Sequence, residues 1–226
     1  MAPPSRPLRS DLLAKRALRM LDSARALLTI PLTWAYRSSD RRDLIDADVA
    51  QWLAVLQVTG QGQGLHSLLY AFPEFRSLFY HRLRNGNATG ALLGRLMCRV
   101  WRPTATLELT TAEIGPGLFV AHGHCTSLAA ERIGANCYVH HGVTVGWDYR
   151  SHRTPVIGND VFIGAGAMVV GAVTVGDGAR IGANAVVLCD VPAGSTAVGV
   201  PARIVQPGSC ATVVQLDEAK VAHVLP

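Results

Sequence analysis

The sequence predicts an α+β protein in which a helical N-terminal region is followed by a parallel β-helix. Three observations lead to this fold class. Apolar residues recur at helical spacing over much of the first hundred residues, the sequence changes character near residue 103, and from residue 114 onward it follows a six-residue repeat. With 226 residues, the chain is long enough for one large domain or for one domain with a substantial appendage.

The N-terminal arm, residues 1–43, carries the excess positive charge of the protein. It holds nine Arg and Lys residues against four Asp and Glu residues, whereas residues 44–226 hold twelve of each kind. The net charge of +5 is therefore local, and only 6% of the residues are aromatic. Because the body lacks a basic run interleaved with aromatic residues, the sequence argues against nucleic-acid binding.

A basic amphipathic helix is predicted over residues 11–28 and ends before Pro31. Its apolar positions are Leu13, Ala17, Leu21, Ala24 and Leu28, with basic residues between them. Such a helix can lie on an anionic membrane, but packing against its own protein or a neighbouring subunit is commoner, so we do not expect membrane contact. The start of the chain lacks the apolar region of a signal peptide. Together with five cysteines that show no close-paired spacing, this favours a cytoplasmic protein.

Residues 44–102 continue as helical patterns. Apolar periodicity runs over residues 46–58, 65–84 and 91–101, and the glycine-rich breaks "GQGQG" and "NGNATG" separate these stretches. This region is therefore predicted to hold three or four helices in all.

Residues 103–205 follow a six-residue period, which is incompatible with the 3.6-residue period of a helix. Aliphatic residues stand at Ile157, Ile163, Val169, Val175, Ile181 and Val187, and Gly follows four of them. This pattern predicts a parallel β-helix of hexapeptide repeats, in which aliphatic residues stack inward and small residues occupy the corners. Residues 206–226 form a C-terminal tail.

The repeat extends back to Ile114 with two interruptions. The first is a one-residue slip near Arg132. The second is an insertion of six residues after Val145, which should leave the body as a corner loop over residues 147–155.

The loop at residues 147–155 and the histidines near residue 122 are the candidate site features. The loop carries Arg150, His152 and Arg153. His122 and His141 are both third in their hexads and lie 19 residues apart, which is one three-hexad coil plus the slip. We therefore expect them to stack on the same face of adjacent coils, one strand spacing of ~4.8 Å apart.

Several stretches resemble bacterial serine acetyltransferases. "HGVTVG", "PVIGNDVFIGAGAMVVGAVTVGDGARIGANAVVLCDVP" and "GVPARIV" resemble their C-terminal half. The "IGPGLFVAHG" stretch and the "FPEFRSLFY" helix are more similar to the serine-acetyltransferase-like proteins of capsule and lipopolysaccharide clusters. The resemblance covers residues 65–205. It implies a left-handed β-helix, a homotrimer with pairing into hexamers left open, and acetyl transfer from acetyl-CoA to a hydroxyl group.

The resemblance also implies roles for individual residues. The general base of the family maps onto His122, and a base with a pKa near neutrality suits removal of a hydroxyl proton during attack on a thioester. The second histidine of the family maps onto His152, where it would orient substrate or stabilise the oxyanion. His141, Arg150 and Trp147 are expected to border the acceptor. Neither a metal nor a covalent acyl-enzyme is expected.

The positions that carry two aspartates in the family are not acidic here. They fall on Leu107 and Ala121, with Glu108 and Glu113 as the nearby acidic residues. Because one of those aspartates is expected to orient the base, Glu113 is the candidate for that role. Because the other is expected to bind the serine amine, the acceptor stays open between L-serine or a serine-like compound and a sugar or specialised metabolite.

For acetyl-CoA, the resemblance implies a groove between the coils of neighbouring subunits. The matching small residues are Gly146, Gly164, Ala165 and Ala183, each of which can also be a simple corner residue. Arg203, in the "GVPAR" close, is the candidate for binding the nucleotide phosphates.

Two other classes of protein remain open from the sequence. A γ-type carbonic anhydrase shares the hexapeptide β-helix and binds zinc through three histidines, here His122, His140 and His141, although the HxxxxH pair expected in that family is missing. A catalytically inactive β-helix could instead serve as a scaffold subunit. A metal analysis tests the first reading, and binding of acetyl-CoA tests the second.

Overall fold

A computed structural model describes residues 30–57, 64–148 and 152–205 of the chain. The predicted helix over residues 11–28, the C-terminal tail and Arg150 lie outside these ranges. Within them the chain forms helices first and then a parallel β-helix of five coils, which confirms the predicted fold class.

The described helices are α1 (Ile30–Ser38), α2 (Arg42–Val55), α3 (Leu65–Ala71), α4 (Pro73–Arg84) and α5 (Ala88–Met97). The helical region therefore begins within the segment expected to be an arm. The single helix expected over residues 65–84 is wrong, because the chain breaks at Phe72, which is extended with φ −116° and ψ 102°. Pro73 causes the break, since proline lacks an amide hydrogen and disfavours helical geometry at the residue before it.

Each coil of the β-helix contributes short strands to three sheets, A, B and C. Sheet A holds β1 (Leu107–Leu109), β4 (Thr126–Leu128), β7 (Thr144–Gly146), β10 (Met168–Val170) and β13 (Val186–Val187). Sheet B holds β2 (Glu113–Ile114), β5 (Arg132–Ile133), β8 (Val156–Ile157) and β11 (Thr174–Val175). Sheet C holds β3 (Phe119–Val120), β6 (Tyr138–Val139), β9 (Phe162–Ile163), β12 (Arg180–Ile181), β14 (Thr196–Val198) and β15 (Arg203–Val205).

The aliphatic positions of the repeat form the core of the β-helix. Ile157, Val169 and Ile181 are at most 1% exposed and lie in sheets B, A and C, respectively, where each pairs in parallel register with a neighbouring coil. Among the strands that the structure describes, only β15 runs antiparallel, against β14, and it closes the C-terminal end of sheet C. The stacked aliphatic residues keep the strands of each sheet in one register, because a shift would expose them.

Three edges join the three sheets. The histidine edge joins sheet C to sheet A and comprises residues 121–125, 140–143, 164–167 and 182–185. The loop edge joins sheet A to sheet B and comprises, among the described residues, 110–112, 129–131, 147–148, 152–155 and 171–173. The glycine edge joins sheet B to sheet C and comprises residues 115–118, 134–137, 158–161 and 176–179.

The irregularity expected near Arg132 lies mainly at His122. Leu128, which is fully buried, pairs with Val145, so eight residues separate the inward positions Val120 and Leu128 instead of the usual six. Five residues then separate Leu128 from Ile133. The single slip is therefore the net result of two extra residues at the His122 corner and one fewer at the next corner. The sequence pattern placed the slip too late because Thr126 also fits the six-residue repeat. In the structure, Leu128 is the inward residue that pairs with the next coil.

Helices α2 and α4 attach the helical region to the first coil through buried polar contacts. Arg82 donates to the Asp48 carboxylate at 2.9 Å and also to the carbonyl oxygens of Ile114 and Gly115. Asp48 in turn accepts from the Gly117 amide at 2.7 Å. Burial raises the pKa of Asp48, and the hydrogen bonds from Arg82 oppose that rise. This network fixes α4 across the N-terminal end of the β-helix.

Candidate functional site

His122 lies on the enlarged corner of the first coil, directly after β3. Its side chain is exposed, and its backbone is in the left-handed region with φ 58°; Cys125, on the same corner, has φ 51°. The His124 amide donates to the His122 carbonyl oxygen and closes a tight turn between them. A left-handed backbone costs of order 1–3 kcal/mol for each residue other than glycine that adopts it. Such residues are concentrated at functional sites.

A column of histidines continues from His122 into the second coil. The predicted placement of His122 and His141 on the same face of adjacent coils is confirmed. Their rings meet edge to face, with centroids 6.2 Å apart and planes at 65°, which is wider than the expected strand spacing. His140 is half-buried and packs against Tyr138 and Phe162. Burial lowers the pKa of His140, and positive charge on His141 or His122 lowers it further. His140 is therefore a neutral wall residue beside two exposed histidines.

The histidine edge continues below His141 with small residues. Ala165 and Ala183 occupy the same corner position in the third and fourth coils, and Ala183 is exposed. Gly164 has a structural reason to be glycine, because a Cβ there would lie 2.6 Å from the Ala183 amide nitrogen. Arg203 is exposed on β15, opposite Val198. The structure thus brings His122 and His141 to the same edge as the small residues expected to accommodate acetyl-CoA.

The remaining candidate residues lie on or beside the loop edge. Trp147 is 49% exposed and stacks on His152 with the ring centroids 5.5 Å apart and the planes 23° from parallel. His152 is exposed, with φ 52°. Gly146 ends β7, and a Cβ there would meet no other atom within 4 Å. Trp147 and His152 therefore form one exposed, stacked aromatic pair on the loop edge.

Within one chain, the structure does not bring His122 together with His152 or Glu113. The two histidines lie on the two edges that flank sheet A. Glu113 is an exposed residue at the start of β2, where it lines a groove of about 440 Å³ with Arg41, Arg82 and Arg132. Glu113 is thus placed on the sheet B side of the β-helix, whereas the base candidate follows sheet C.

Glu74, in the first turn of α4, is an acidic residue at the His122 corner that the sequence did not reveal. Its side chain is 9% exposed and packs against Gly123, the residue after His122. The available signal was indirect: a carboxylate among the apolar residues of "FPEFRSLFY". It could not be connected to His122, because the contact depends on how α4 crosses the first coil.

In the described ranges, no group of three or more His, Cys, Asp or Glu side chains is arranged to hold a metal ion. None of the helices in those ranges is both long and apolar enough to cross a membrane.

A β-helix of hexapeptide repeats with an exposed histidine column along one edge defines this enzyme as a hexapeptide-repeat acyltransferase, and the family Bacterial transferase hexapeptide (six repeats) matches residues 154–189. A serine acetyltransferase of Helicobacter pylori strain J99 is 38% identical over 157 residues, covering 67% of this chain and 92% of that protein. The chain therefore belongs to the serine acetyltransferase family, as its motifs predict. A second relative, from Bacillus subtilis strain 168, is 42% identical over 144 residues, covering 61% of this chain and 66% of the relative.

Solved structures of serine acetyltransferases share the fold. The Neisseria gonorrhoeae enzyme superposes with a TM-score of 0.59 at 30% identity, covering 77% of this chain and 72% of that chain. The soybean apoenzyme gives a TM-score of 0.56 at 29% identity, with 73% and 68% covered. This likeness confirms that the parallel β-helix is of the left-handed kind.

Proposed function

We propose that this protein transfers an acetyl group from acetyl-CoA to the hydroxyl group of a small acceptor, L-serine or a serine-like compound, with His122 as general base. The observation that carries the proposal is the place of His122: an exposed imidazole on an enlarged corner, at the head of an edge that continues in small residues. The relatives are named serine acetyltransferases, and one solved structure is of the Neisseria gonorrhoeae enzyme in complex with serine.

The reaction needs one base and no covalent intermediate on the protein. His122 takes the proton of the acceptor hydroxyl while the hydroxyl oxygen forms a bond to the thioester carbonyl carbon. The carbon–sulfur bond then breaks, and the departing CoA thiolate takes the proton back from His122. One imidazole thus serves as base and, once protonated, as acid, so that protons balance over the reaction.

The histidine edge fits the pantetheine arm of acetyl-CoA. Below His141, the corner positions Ala165 and Ala183 carry no side chain beyond Cβ, so an extended arm can approach the backbone closely. Arg203 stands toward the C-terminal end of sheet C, where a guanidinium group could bind the nucleotide phosphates. Gly146, at the loop edge, leaves space free where a side chain would otherwise stand.

The loop-edge residues contribute to this site from a neighbouring subunit. Since sheet A separates His152 and Trp147 from His122 within one chain, we propose a homotrimer in which the loop edge of one subunit faces the histidine edge of the next. His152 would then orient the acceptor or stabilise the oxyanion, and Trp147 would form a wall of the acceptor pocket.

Leu107 and Ala121, which stand where the family carries aspartates, are 7% and 8% exposed, so the wall beside His122 is apolar at both positions. An acceptor with an ammonium group therefore needs another carboxylate, whereas a sugar or other uncharged hydroxyl compound does not.

A thiol-release assay with acetyl-CoA tests the proposal. L-serine, homoserine, related amino acids and simple sugars would be compared as acceptors. We expect the His122→Ala variant to lose at least 10²-fold in turnover while keeping its affinity for CoA. His124→Ala is the matched control, because His124 is exposed on the same corner, and it should remain active. Equal activity of His122→Ala and the wild type, or equal loss in both variants, would contradict the proposed role.

A further inference from the structure

Helices α1 and α5 expose large apolar residues to solvent. The two helices contact each other, and the Asn87 side-chain amide at the start of α5 donates to the carbonyl oxygen of Ser38 at the end of α1. Together with the turn after α5, they hold five of the twelve exposed large apolar residues in the described ranges. These five, which are 48–73% exposed, are Ile30, Trp34, Leu92, Leu96 and Val100. Clustered apolar residues at a protein surface mark interaction sites.

The exposed apolar residues are not part of the contact between helices. Gly90 and Gly94 of α5 are buried, and a Cβ on Gly94 would lie 3.3 Å from Leu83 of α4. Leu92 and Leu96, each two positions further along the helix, are turned about 200° away from this contact. Helix α1 shows the same division between a buried and an exposed face. The exposed residues therefore form a second face, which the packing of the helical region does not use.

The charged residues of these two helices are all basic. Residues 30–38 and 88–102 contain no Asp or Glu. The arginines in these stretches, all of them exposed, are Arg37, Arg95, Arg99 and Arg102. Two acids bond to groups of these helices: Asp40 accepts from the Asn87 amide, and Asp46 accepts from the Tyr36 hydroxyl. We call the five apolar residues and the four arginines the α1–α5 surface.

This combination of charge and apolar side chains restricts the partner. In a symmetric contact between two copies of the chain, the same arginines would lie on both sides with no acid of the surface to pair with them. Residues 1–29 carry six basic residues and two acidic ones, so they repel the surface as well. A duplex nucleic acid would neutralise the arginines but leave the leucines and Trp34 uncovered. The matching partner is therefore both anionic and apolar.

We propose that the α1–α5 surface docks this protein on an anionic lipid bilayer. Its apolar side chains enter the interfacial layer, where tryptophan is favoured, and its arginines bind the lipid phosphates. With ten residues, α5 is about half as long as a helix that spans a bilayer, so it lies on the membrane surface. The expectation of no membrane contact was based on residues 11–28 alone, whereas this surface combines two helices that only the fold brings together. The inference goes beyond the proposed function and does not depend on it.

Co-sedimentation of the full chain with vesicles tests the proposal. Vesicles of phosphatidylcholine and phosphatidylglycerol in a ratio of about 2:1 would be compared with vesicles of phosphatidylcholine alone. We expect binding to the anionic vesicles only, and weaker binding as salt rises, because salt screens the arginines. Leu92→Gln combined with Leu96→Gln should weaken binding at least ~10-fold. Arg95→Gln combined with Arg99→Gln should weaken it about five-fold for each charge removed.

Two substitutions elsewhere on the protein are matched controls. Leu188 is 58% exposed after the last strand of sheet A, and Arg132 is exposed on sheet B. Leu188→Gln and Arg132→Gln should therefore bind vesicles like the wild type. Thermal unfolding of each variant checks that the fold is intact. Brominated lipid should also quench the tryptophan fluorescence of the wild type more than that of Trp34→Phe, since Trp34 enters the bilayer.

Four outcomes would overturn the proposal. The first is a wild-type protein that does not bind the anionic vesicles. The second is a lower oligomeric state of the leucine double variant in analytical ultracentrifugation, without vesicle binding by the wild type, which would assign the surface to contacts between copies of the chain. The third is loss of vesicle binding only in Arg16→Gln combined with Arg19→Gln, which would assign the binding to the N-terminal arm. The fourth is equally tight binding of duplex DNA that does not need the leucines. None of these outcomes depends on acetyl transfer, which the thiol-release assay measures separately without vesicles.

Discussion

At the scale of single residues, His81 shows how burial fixes a protonation state. Its side chain is 3% exposed, and Nε2 donates to the Thr111 carbonyl oxygen at 2.7 Å, which ties α4 to the first coil. Burial lowers the pKa of His81 to about 4. The ring is therefore neutral at neutral pH, and its second nitrogen, Nδ1, has no partner among the described residues.

We predict that stability falls in mild acid because of His81. An unfolded histidine takes up a proton near pH 6.5, whereas the folded one resists protonation until about pH 4. The stability present above pH 6.5 is thus lost progressively as the pH falls toward 4, to a maximum of about 3 kcal/mol. Urea unfolding at pH 7.5, 6 and 5 measures the slope. His81→Gln, which can still donate to Thr111, should flatten it, and an unchanged slope would contradict the assignment.

The same scale shows what sequence spacing can and cannot predict about the site. Coil arithmetic places His141 under His122, because both residues belong to one repeating strand and corner. Glu113 was favoured since it is only nine residues from His122, but a triangular coil turns the chain to another face over that distance. Glu74 is distant in sequence and reaches the corner through helix packing, which no repeat encodes.

At the scale of elements, the corners of the β-helix are as demanding as its strands. Along the glycine edge, a Cβ on Gly115 would lie 2.6 Å from the carbonyl carbon of Gly134 in the next coil. Backbone lies directly under backbone there, so no side-chain rotation can make room. The glycines that follow successive aliphatic residues are therefore required by the stacking of coils.

We predict that Gly115→Ala destabilises the protein, whereas Gly146→Ala does not. The first substitution forces backbone apart, for which overpacking typically costs 1–3 kcal/mol and occasionally more. The second places a methyl group where no other atom lies within 4 Å, so stability should be unchanged or slightly higher. Thermal and urea unfolding of both variants measures the difference. Equal stability of the two would mean that the corners can separate at little cost.

The elements themselves were predictable to different degrees. A six-residue period sustained over many repeats has one structural solution, so the β-helix followed from sequence alone. The break at Pro73 was signalled by the proline but masked by continuous apolar periodicity on both sides. The enlarged corner at His122 was misplaced because Thr126 and Leu128 are both buried, and only the pairing with the next coil distinguishes them.

At the scale of the whole molecule, sheet A divides the candidate site into two halves. His122 lies on the histidine edge and His152 on the loop edge, so one chain alone holds no site that contains both residues. In a trimer with threefold symmetry, each subunit presents one edge to one neighbour and another edge to the other neighbour. Three such sites form if the loop edge of each subunit faces the histidine edge of the next.

This arrangement predicts that two inactive variants restore activity when they assemble together. His122→Ala lacks the base, and His152→Ala should lose 10²-fold or more if His152 stabilises the oxyanion. In trimers formed from an equal mixture, a site is intact when a subunit with His122 stands beside a neighbour with His152, which occurs in about a quarter of the sites.

The two chains would be co-expressed with different tags, and the mixed trimers purified on both tags before the thiol-release assay. Because purification on both tags removes the pure trimers, recovery should be at least a quarter of wild-type activity. If the mixed trimers stay as inactive as the variants, each site lies within one chain, and the two residues do not act together.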